Sequence, residues 1–291
     1  MTKQAKFEIG AEDYPFRSRR VFLENGATVH YVDEGKGSTL LFLHGNPTWS
    51  YLYRNIIVGL KSQFRCIAPD YPGFGLSTPP SEYGFTAAEH ADVMAKFLET
   101  LSLRDVTIFM QDWGGPIGFS VALRFPDRVH GFIIGNTWAW PLERMGPKMF
   151  SIIMGGAVGR SITRCCNGVV RFFMKMGVVT PLKKQTLQMY LAPFKNQKDR
   201  TPTHIFPRQL RAANPFLADV YNGLPLISQK PALIVWGEKD FAFKKPERSR
   251  FENIFSEHTT VILPRAGHFI QEDAPDEIIE AIRKWMDEIR S

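Results

Sequence analysis

The sequence contains few cysteines and no long apolar run, and both absences limit what the protein can be. Only three of its 291 residues are cysteine, and Cys165 and Cys166 are neighbours, so no disulfide framework is expected. This composition favours a reducing, cytoplasmic location. No apolar stretch approaches the length of a membrane span, so none is predicted. Cysteine and histidine do not follow a metal-ligand spacing, and we predict neither a metal nor another cofactor.

Basic residues are concentrated in one part of the chain. The net charge is +7, yet residues 137–222 carry 13 Lys and Arg against Glu143, Asp199 and Asp219. A basic surface can attract nucleic acid or anionic lipid, but no zinc finger, basic helix or aromatic–basic RNA motif accompanies it. We therefore predict no nucleic-acid partner and interpret the segment as a solvated basic face on a helical subdomain.

Strand and helix patterns alternate along most of the chain. Apolar runs predict a hairpin over 20–33 and strands at 39–43, 64–68, 106–110, 129–135, 232–237 and 260–264. Helical patterns predict helices at 49–60, from the capping box of Thr86 and Glu89 to about 101, after Pro116, and at 276–289. Such alternation predicts an α/β fold with a mostly parallel sheet flanked by helices.

Residues 138–222 contain helical patterns but no convincing strand. Short helices are predicted at 145–156, 160–176 and 183–191, separated by glycine and proline. We predict that 138–222 forms a helical cap inserted into a core made of 1–137 and 223–291. The cap would cover the carboxyl edge of the sheet, where the functional residues of a parallel sheet gather.

The segment Gln111-Asp112-Trp113-Gly114-Gly115 follows a predicted strand and precedes a predicted helix. A strand, a sharp turn and a helix with one reactive side chain at the apex form the nucleophile elbow of α/β hydrolases. Here the apex is Asp112 and not a serine. A carboxylate nucleophile makes an alkyl ester from an electrophilic sp3 carbon, which points away from ordinary ester or amide hydrolysis.

Two further residues complete a candidate catalytic set. His268 follows the last predicted strand, where it would deprotonate the water that hydrolyses an ester on Asp112. Asp240, after the strand at 232–237, would accept a hydrogen bond from His268 Nδ1 and hold the productive tautomer. The competing position for this acid, at the end of strand 129–135, is Asn136, which cannot ionise.

Asn46 and Trp113 form a candidate halide site. The indole of Trp113 only donates hydrogen bonds, and Asn46 offers an amide NH2. Two neutral donors beside a carboxylate suit a departing halide, whereas a cation there would pair with Asp112 and blunt its nucleophilicity. The backbone N–H groups of the same two residues are placed to form an oxyanion hole for ester hydrolysis.

Four segments together resemble a haloalkane dehalogenase: 44–54, 70–77, 111–115 and 267–275. The resemblance covers nearly the whole chain and is weakest in the cap and the first dozen residues. Asn46 combined with the acid at Asp240 is similar to the third of the family's three subgroups. The resemblance implies a cofactor-free enzyme that takes a haloalkane and water to an alcohol, a halide and a proton. It also implies that the chain forms a homo-oligomer.

One residue departs from the pattern of the elbow. The position two before the nucleophile is usually small because the turn is tight, yet here it is Met110. Either the backbone accommodates this side chain, or the elbow is displaced and activity is weak.

Three other functions stay open at the level of the sequence, and a luciferase-like monooxygenase on the same scaffold is the least favoured of them. An epoxide hydrolase uses the same Asp/His/Asp logic and needs acid donors over the nucleophile, for which the cap offers Tyr190 and Tyr221. Against it, such enzymes usually carry Phe in place of Asn46 and His in place of Gln111. The alternative from another class is a binding protein whose basic cap serves a partner or a membrane surface.

Overall fold

The structure, a computed structural model, describes Phe7, Gly10 and residues 12–289. Within this described part, one sheet contains eight strands: β1 (Arg19–Phe22), β2 (Thr28–Glu34), β3 (Thr39–Leu43), β4 (Arg65–Pro69), β5 (Val106–Asp112), β6 (Val129–Thr137), β7 (Ala232–Gly237) and β8 (His258–Leu263). The predicted core begins at residue 1 and ends at residue 291, and both limits lie outside the described residues.

The sheet is mostly parallel, which confirms the predicted fold class. Its strand order is β1-β2-β4-β3-β5-β6-β7-β8, and only the β1–β2 and β2–β4 pairs are antiparallel. Every residue of β3 and of β7 is buried. Strands covered on both faces read as continuous apolar runs, which is why these two were recognisable in the sequence.

Helices cover both faces of the sheet. In the described residues they are α1 (Arg54–Leu60), α2 (Ala87–Thr100), α3 (Gly114–Arg124), α4 (Met145–Gly155), α5 (Ala157–Cys166), α6 (Gly168–Met176), α7 (Lys184–Leu191), α8 (Thr201–Ala212), α9 (Asn214–Gly223), α10 (Lys245–Ile254), α11 (Ile270–Asp273) and α12 (Pro275–Glu288). The capping box at the start of α2 is present: the Glu89 N–H donates to Thr86 Oγ1, and the Thr86 N–H donates back to the Glu89 carboxylate.

The predicted helix over 160–176 is wrong as a single element. Asn167 adopts a left-handed conformation with φ +52°, which ends α5 and precedes α6. Asparagine visits this region more readily than most residues because its short polar side chain can hydrogen-bond locally. Apolar residues recur with helical periodicity on both sides of Asn167. This pattern does not reveal that the helix axis changes direction at Asn167.

Helices α4 to α9 occupy the interval predicted as the cap. A buried polar cluster ties α7 to the rest of the molecule: the Tyr190 hydroxyl donates to Glu272, and Arg54 makes a bidentate pair with the same carboxylate at 2.5 and 2.9 Å. Such charge-assisted pairs fix geometry as well as adding free energy. The boundaries between core and cap stay a prediction.

Candidate active site

The predicted site residues come together at the carboxyl edge of the sheet. Asn46, Asp112, Trp113 and His268 line one cavity of about 530 Å³. Asp240 lies directly behind His268, with its Oδ2 atom 3.0 Å from Nδ1 of the imidazole. Residues from four separate segments of the chain thus meet around the Asp112 carboxylate, as expected for a parallel sheet.

Asp112 stands at a sharp turn between β5 and α3. Its backbone is in the left-handed region, with φ +52°, a conformation that non-glycine residues rarely adopt. The Thr137 hydroxyl donates to the Asp112 carbonyl at 2.5 Å and so holds the turn. Gly45 approaches so closely that an added Cβ would lie 2.2 Å from Asp112 Oδ1. A glycine is therefore required where the loop after β3 meets the carboxylate.

Met110 is accommodated without displacing the elbow. Its side chain is fully buried, and it occupies space next to Gly118 on α3. A Cβ at Gly118 would lie 2.5 Å from the Met110 sulfur, so the missing side chain of the glycine makes room for the methionine. Of the two alternatives for Met110, the structure shows the first.

The two carboxylate oxygens of Asp112 have different surroundings. The Asn46 N–H donates to Oδ1 at 2.8 Å, and the Trp113 N–H also donates to the carboxylate. Oδ2 lies 3.7 Å from His268 Nε2. Burial raises the pKa of Asp112, while the attraction of His268 and the two N–H donors oppose that shift. The arrangement leaves Oδ2 as the oxygen suited to attack.

His268 is oriented by the carboxylate behind it. Asp240 is fully buried, and its Oδ1 accepts from the Ala242 N–H at 2.7 Å. With Oδ2 accepting from His268 Nδ1, the hydrogen-bond network assigns the proton of the neutral ring to Nδ1. Nε2 then carries the only lone pair of the ring and lies 3.7 Å from Asp112 Oδ2, at the position that a general base needs.

Asn136 holds the Asp240 carboxylate, a contact the sequence did not indicate. Its Nδ2 donates to Asp240 Oδ2 at 2.8 Å and to the Gly237 carbonyl at 3.1 Å, and its Oδ1 accepts from the Gly237 N–H at 2.7 Å. In the sequence, Asn136 follows a predicted strand at the edge where functional residues gather, but its side chain cannot ionise and so excludes it as the catalytic acid. Its place at the carboxyl end of β6 was the available signal.

Gln111 contacts His268 directly. Its Nε2 lies 3.1 Å from His268 Nε2 and donates to the His268 carbonyl at 3.1 Å. In the sequence, a glutamine at this position argues only against an epoxide hydrolase, which usually carries His there. Because an amide NH2 donates two hydrogen bonds, Gln111 holds both the ring and the backbone of His268.

Asn46 and Trp113 border Asp112 from the cavity side. In the part of the chain that the structure describes, neither Asn46 Nδ2 nor Trp113 Nε1 has a protein acceptor. The Trp113 ring packs edge-on against Trp138 at 4.7 Å, which fixes its orientation. Two neutral donors are thus left for a ligand beside the carboxylate.

The cavity walls are mostly apolar and aromatic. Trp138 and Trp140 both line the cavity, together with Phe150 and Phe173 of the cap helices. The cavity opens where its lining residues are exposed, and these are Glu143, Arg144, Gly146, Phe241, Lys244 and Pro246. Over the described residues, no group of three or more His, Cys, Asp or Glu side chains is arranged to hold a metal ion.

The sheet order, the elbow at Asp112 and the helices between β6 and β7 define an α/β hydrolase. In agreement, residues 38–151 match the family described as alpha/beta hydrolase fold. A haloalkane dehalogenase 2 of Mycobacterium tuberculosis is 43% identical over 271 residues, which cover 92% of this chain and 94% of the relative. The chain belongs to the haloalkane dehalogenase family.

One enzyme with a different named activity and two solved haloalkane dehalogenase structures are also similar to this chain. A cis-3-alkyl-4-alkyloxetan-2-one decarboxylase of Shewanella oneidensis is 32% identical over 285 residues, covering 94% of this chain and 89% of the relative. Among solved structures, a putative ancestral haloalkane dehalogenase superposes with a TM-score of 0.85 at 28% identity, over 94% of this chain and 99% of that one. The haloalkane dehalogenase of Bradyrhizobium elkani gives a TM-score of 0.87 at 25% identity, with the same coverage of both chains.

Proposed function

We propose that the chain hydrolyses haloalkanes through a covalent ester on Asp112. In the first step Asp112 Oδ2 attacks the carbon that bears the halogen, forming a C–O bond as the C–halogen bond breaks. The halide leaves with the bonding pair and is stabilised by Asn46 Nδ2 and Trp113 Nε1. The observation that carries this proposal is the carboxylate itself, placed at a strained elbow and facing an apolar cavity.

The second step would hydrolyse the ester. His268 Nε2 takes a proton from a water molecule, whose oxygen attacks the Asp112 carboxyl carbon. The developing negative charge on Oδ1 is stabilised by the N–H groups of Asn46 and Trp113, which already donate to this carboxylate. The alkoxide leaves with the proton from His268, Asp240 stabilises the imidazolium until then, and the restored Asp112 carboxyl releases a proton to solvent.

The first test is the release of bromide from 1-bromobutane and 1,2-dibromoethane by the purified protein. We expect one bromide and one molecule of 1-butanol for each 1-bromobutane consumed, because the second step returns the enzyme unchanged. A folded protein that releases no bromide from either substrate would contradict the proposal.

The proposed ester also predicts a change in the pKa of His268 during turnover. Burial lowers this pKa, but the carboxylates of Asp240 and Asp112 raise it by more, so it lies above the ordinary 6.5. Ester formation removes the charge on Asp112, which lowers the pKa of His268 when a neutral base is needed. An NMR titration of His268 should give a value above 6.5 in the wild type and a lower one in Asp112→Asn. Equal values in both would argue against this coupling.

The sequence leaves epoxide opening as an alternative, with Tyr190 and Tyr221 as its acid donors. Neither tyrosine lies where that reaction needs an acid. Tyr190 is fully buried and its hydroxyl donates to Glu272, while Tyr221 lies under the Arg250 guanidinium, 4.3 Å from the ring centroid. Neither tyrosine is among the described residues that line the cavity. Neither of these two tyrosines is therefore placed to protonate an epoxide oxygen over Asp112.

The second candidate reaction is the loss of CO2 from a dialkyl oxetan-2-one. The relative of that name in Shewanella oneidensis aligns over 94% of this chain, and the apolar cavity suits alkyl chains. Loss of CO2 from such a ring leaves an alkene. Gas chromatography of reactions with a cis-3,4-dialkyloxetan-2-one decides between the two: alkene formation without bromide release from bromoalkanes would favour this candidate.

A further inference from the structure

Helix α4 exposes a stripe of apolar side chains to solvent. Met145, Met149, Ile152 and Ile153 are exposed, with relative accessibilities from 45% for Met149 to 71% for Met145. Their spacing of i, i+4, i+7 and i+8 places them on one face of the helix. The opposite side of α4 carries the buried Ser151. An apolar stripe of this kind normally packs against a core.

Helices α5 and α6 extend the exposed apolar surface. On α5, Val158 and Ile162 are exposed, and on α6 Phe172 and Met176 are exposed. Both helices bury a different side, which on α6 includes Val170 and Met174. Buried side chains therefore hold α5 and α6 in place, and the exposed ones lie outside this buried packing. We call the outward surface of α4, α5 and α6 the cap face.

Basic side chains are interleaved with the apolar ones on the cap face. Arg160 and Arg164 on α5 and Arg171 and Lys175 on α6 are exposed. Over the described residues, none of these four has an acidic partner within ion-pair distance. On α6, exposed basic and apolar residues alternate in the order Arg171, Phe172, Lys175, Met176. Basic and apolar side chains therefore share one exposed face of the helix.

We propose that the cap face docks on a lipid bilayer that contains anionic headgroups. Exposed apolar side chains of amphipathic helices enter the boundary between headgroups and acyl chains, and basic residues are drawn to anionic lipid. Docking would be superficial, since no described helix is long and apolar enough to cross a bilayer. A second copy joined by the same face would bring two unpaired basic surfaces together, which Coulomb repulsion opposes.

The cap face borders the opening of the cavity. Gly146, Pro147 and Phe150, at the start of α4, line the cavity. Phe150 contacts Phe173 of α6 with ring centroids 5.7 Å apart, and Phe173 also packs against the exposed Phe172 at 5.4 Å. Docking would thus bring the opening next to the acyl chains. An apolar substrate dissolved in the bilayer would then reach the cavity over a short path through apolar surface.

Vesicle flotation tests this docking. Phosphatidylcholine vesicles with about 30 mol% phosphatidylglycerol are compared with pure phosphatidylcholine vesicles. Wild type should float with the anionic vesicles, and about 0.5 M NaCl should weaken binding by screening. Arg171→Glu/Lys175→Glu should lower the partition coefficient at least about tenfold. The matched control is Lys96→Glu/Arg104→Glu, which makes the same charge change at exposed sites outside the cap face and should bind like wild type.

A second variant tests the apolar contribution. Met149→Ser/Ile153→Ser keeps the charge and should also weaken flotation, because fewer side chains enter the bilayer. Each variant must keep its unfolding temperature and its turnover of a soluble haloalkane, since none of these residues lines the cavity. No flotation of wild type, or equal flotation of both charge variants, would overturn the proposal. So would a wild-type oligomer, formed without vesicles, that the cap-face substitutions dissociate, because the occupant would then be a second copy.

Discussion

Asp112→Ala is expected to abolish the release of bromide from 1-bromobutane, with a loss of at least about 10⁴-fold in kcat. The variant keeps the cavity and the two halide donors but has no atom that can displace the halogen. A water molecule in the same space is a far weaker nucleophile than a carboxylate, and in the proposed mechanism His268 activates water only for attack on an ester. Halide release and alcohol formation, measured together over hours, give the residual rate.

The matched control is Asp105→Ala. Asp105 is an aspartate with the same backbone angle, φ +52°, as Asp112, and it precedes β5 whereas Asp112 ends it. Replacing either residue with alanine leaves a side chain less tolerant of the left-handed region, so both variants carry a similar backbone penalty. Only Asp112→Ala should lose activity. If Asp112→Ala releases bromide at more than about a hundredth of the wild-type rate, Asp112 is not the nucleophile.

The fold class followed from short-range patterns, whereas the strand order did not. The continuous apolar runs of β3 and β7 predict buried strands because every residue in them is buried. The placement of β4 between β2 and β3 depends on contacts between segments distant in sequence. A hydrophobic pattern records which residues are buried and not which strand lies beside them.

Helix boundaries in the cap show a similar limit. Helix α8 continues through Pro207, a residue that normally ends or kinks a helix, and α5 and α6 separate at Asn167. Both outcomes depend on packing around the backbone. Patterns of apolar residues predict that helices are present in 138–222, but the direction of each helix is decided by its neighbours.

The candidate site was largely predictable because its residues follow strands. Asp112 ends β5, Asp240 and His268 follow β7 and β8, and parallel strands bring their carboxyl ends to one edge. The supporting roles of Gln111 and Asn136 were not predictable. They rest on amide hydrogen bonds of about 3 Å to His268 and Asp240, which require the final positions of all four side chains.

His268→Ala is expected to stop turnover after the first step and to leave an alkyl ester on Asp112. The attack on the haloalkane needs only the carboxylate and the halide donors, so one bromide should be released per enzyme molecule. Hydrolysis of the ester needs a base, and the nearby Gln111 amide cannot accept a proton in place of the imidazole. Intact-protein mass spectrometry after incubation with 1-bromobutane should show the addition of one butyl group.

Two controls separate this trapped ester from unspecific alkylation. His258→Ala removes an exposed histidine at the start of β8 and should turn over normally, without a stable adduct. Adding Asp112→Asn to His268→Ala should remove the adduct, because the oxygen that forms the ester is gone. A His268→Ala protein that sustains turnover would show that another base serves the second step. One that releases no bromide and carries no adduct would place His268 in the first step, and the two-step mechanism would fail.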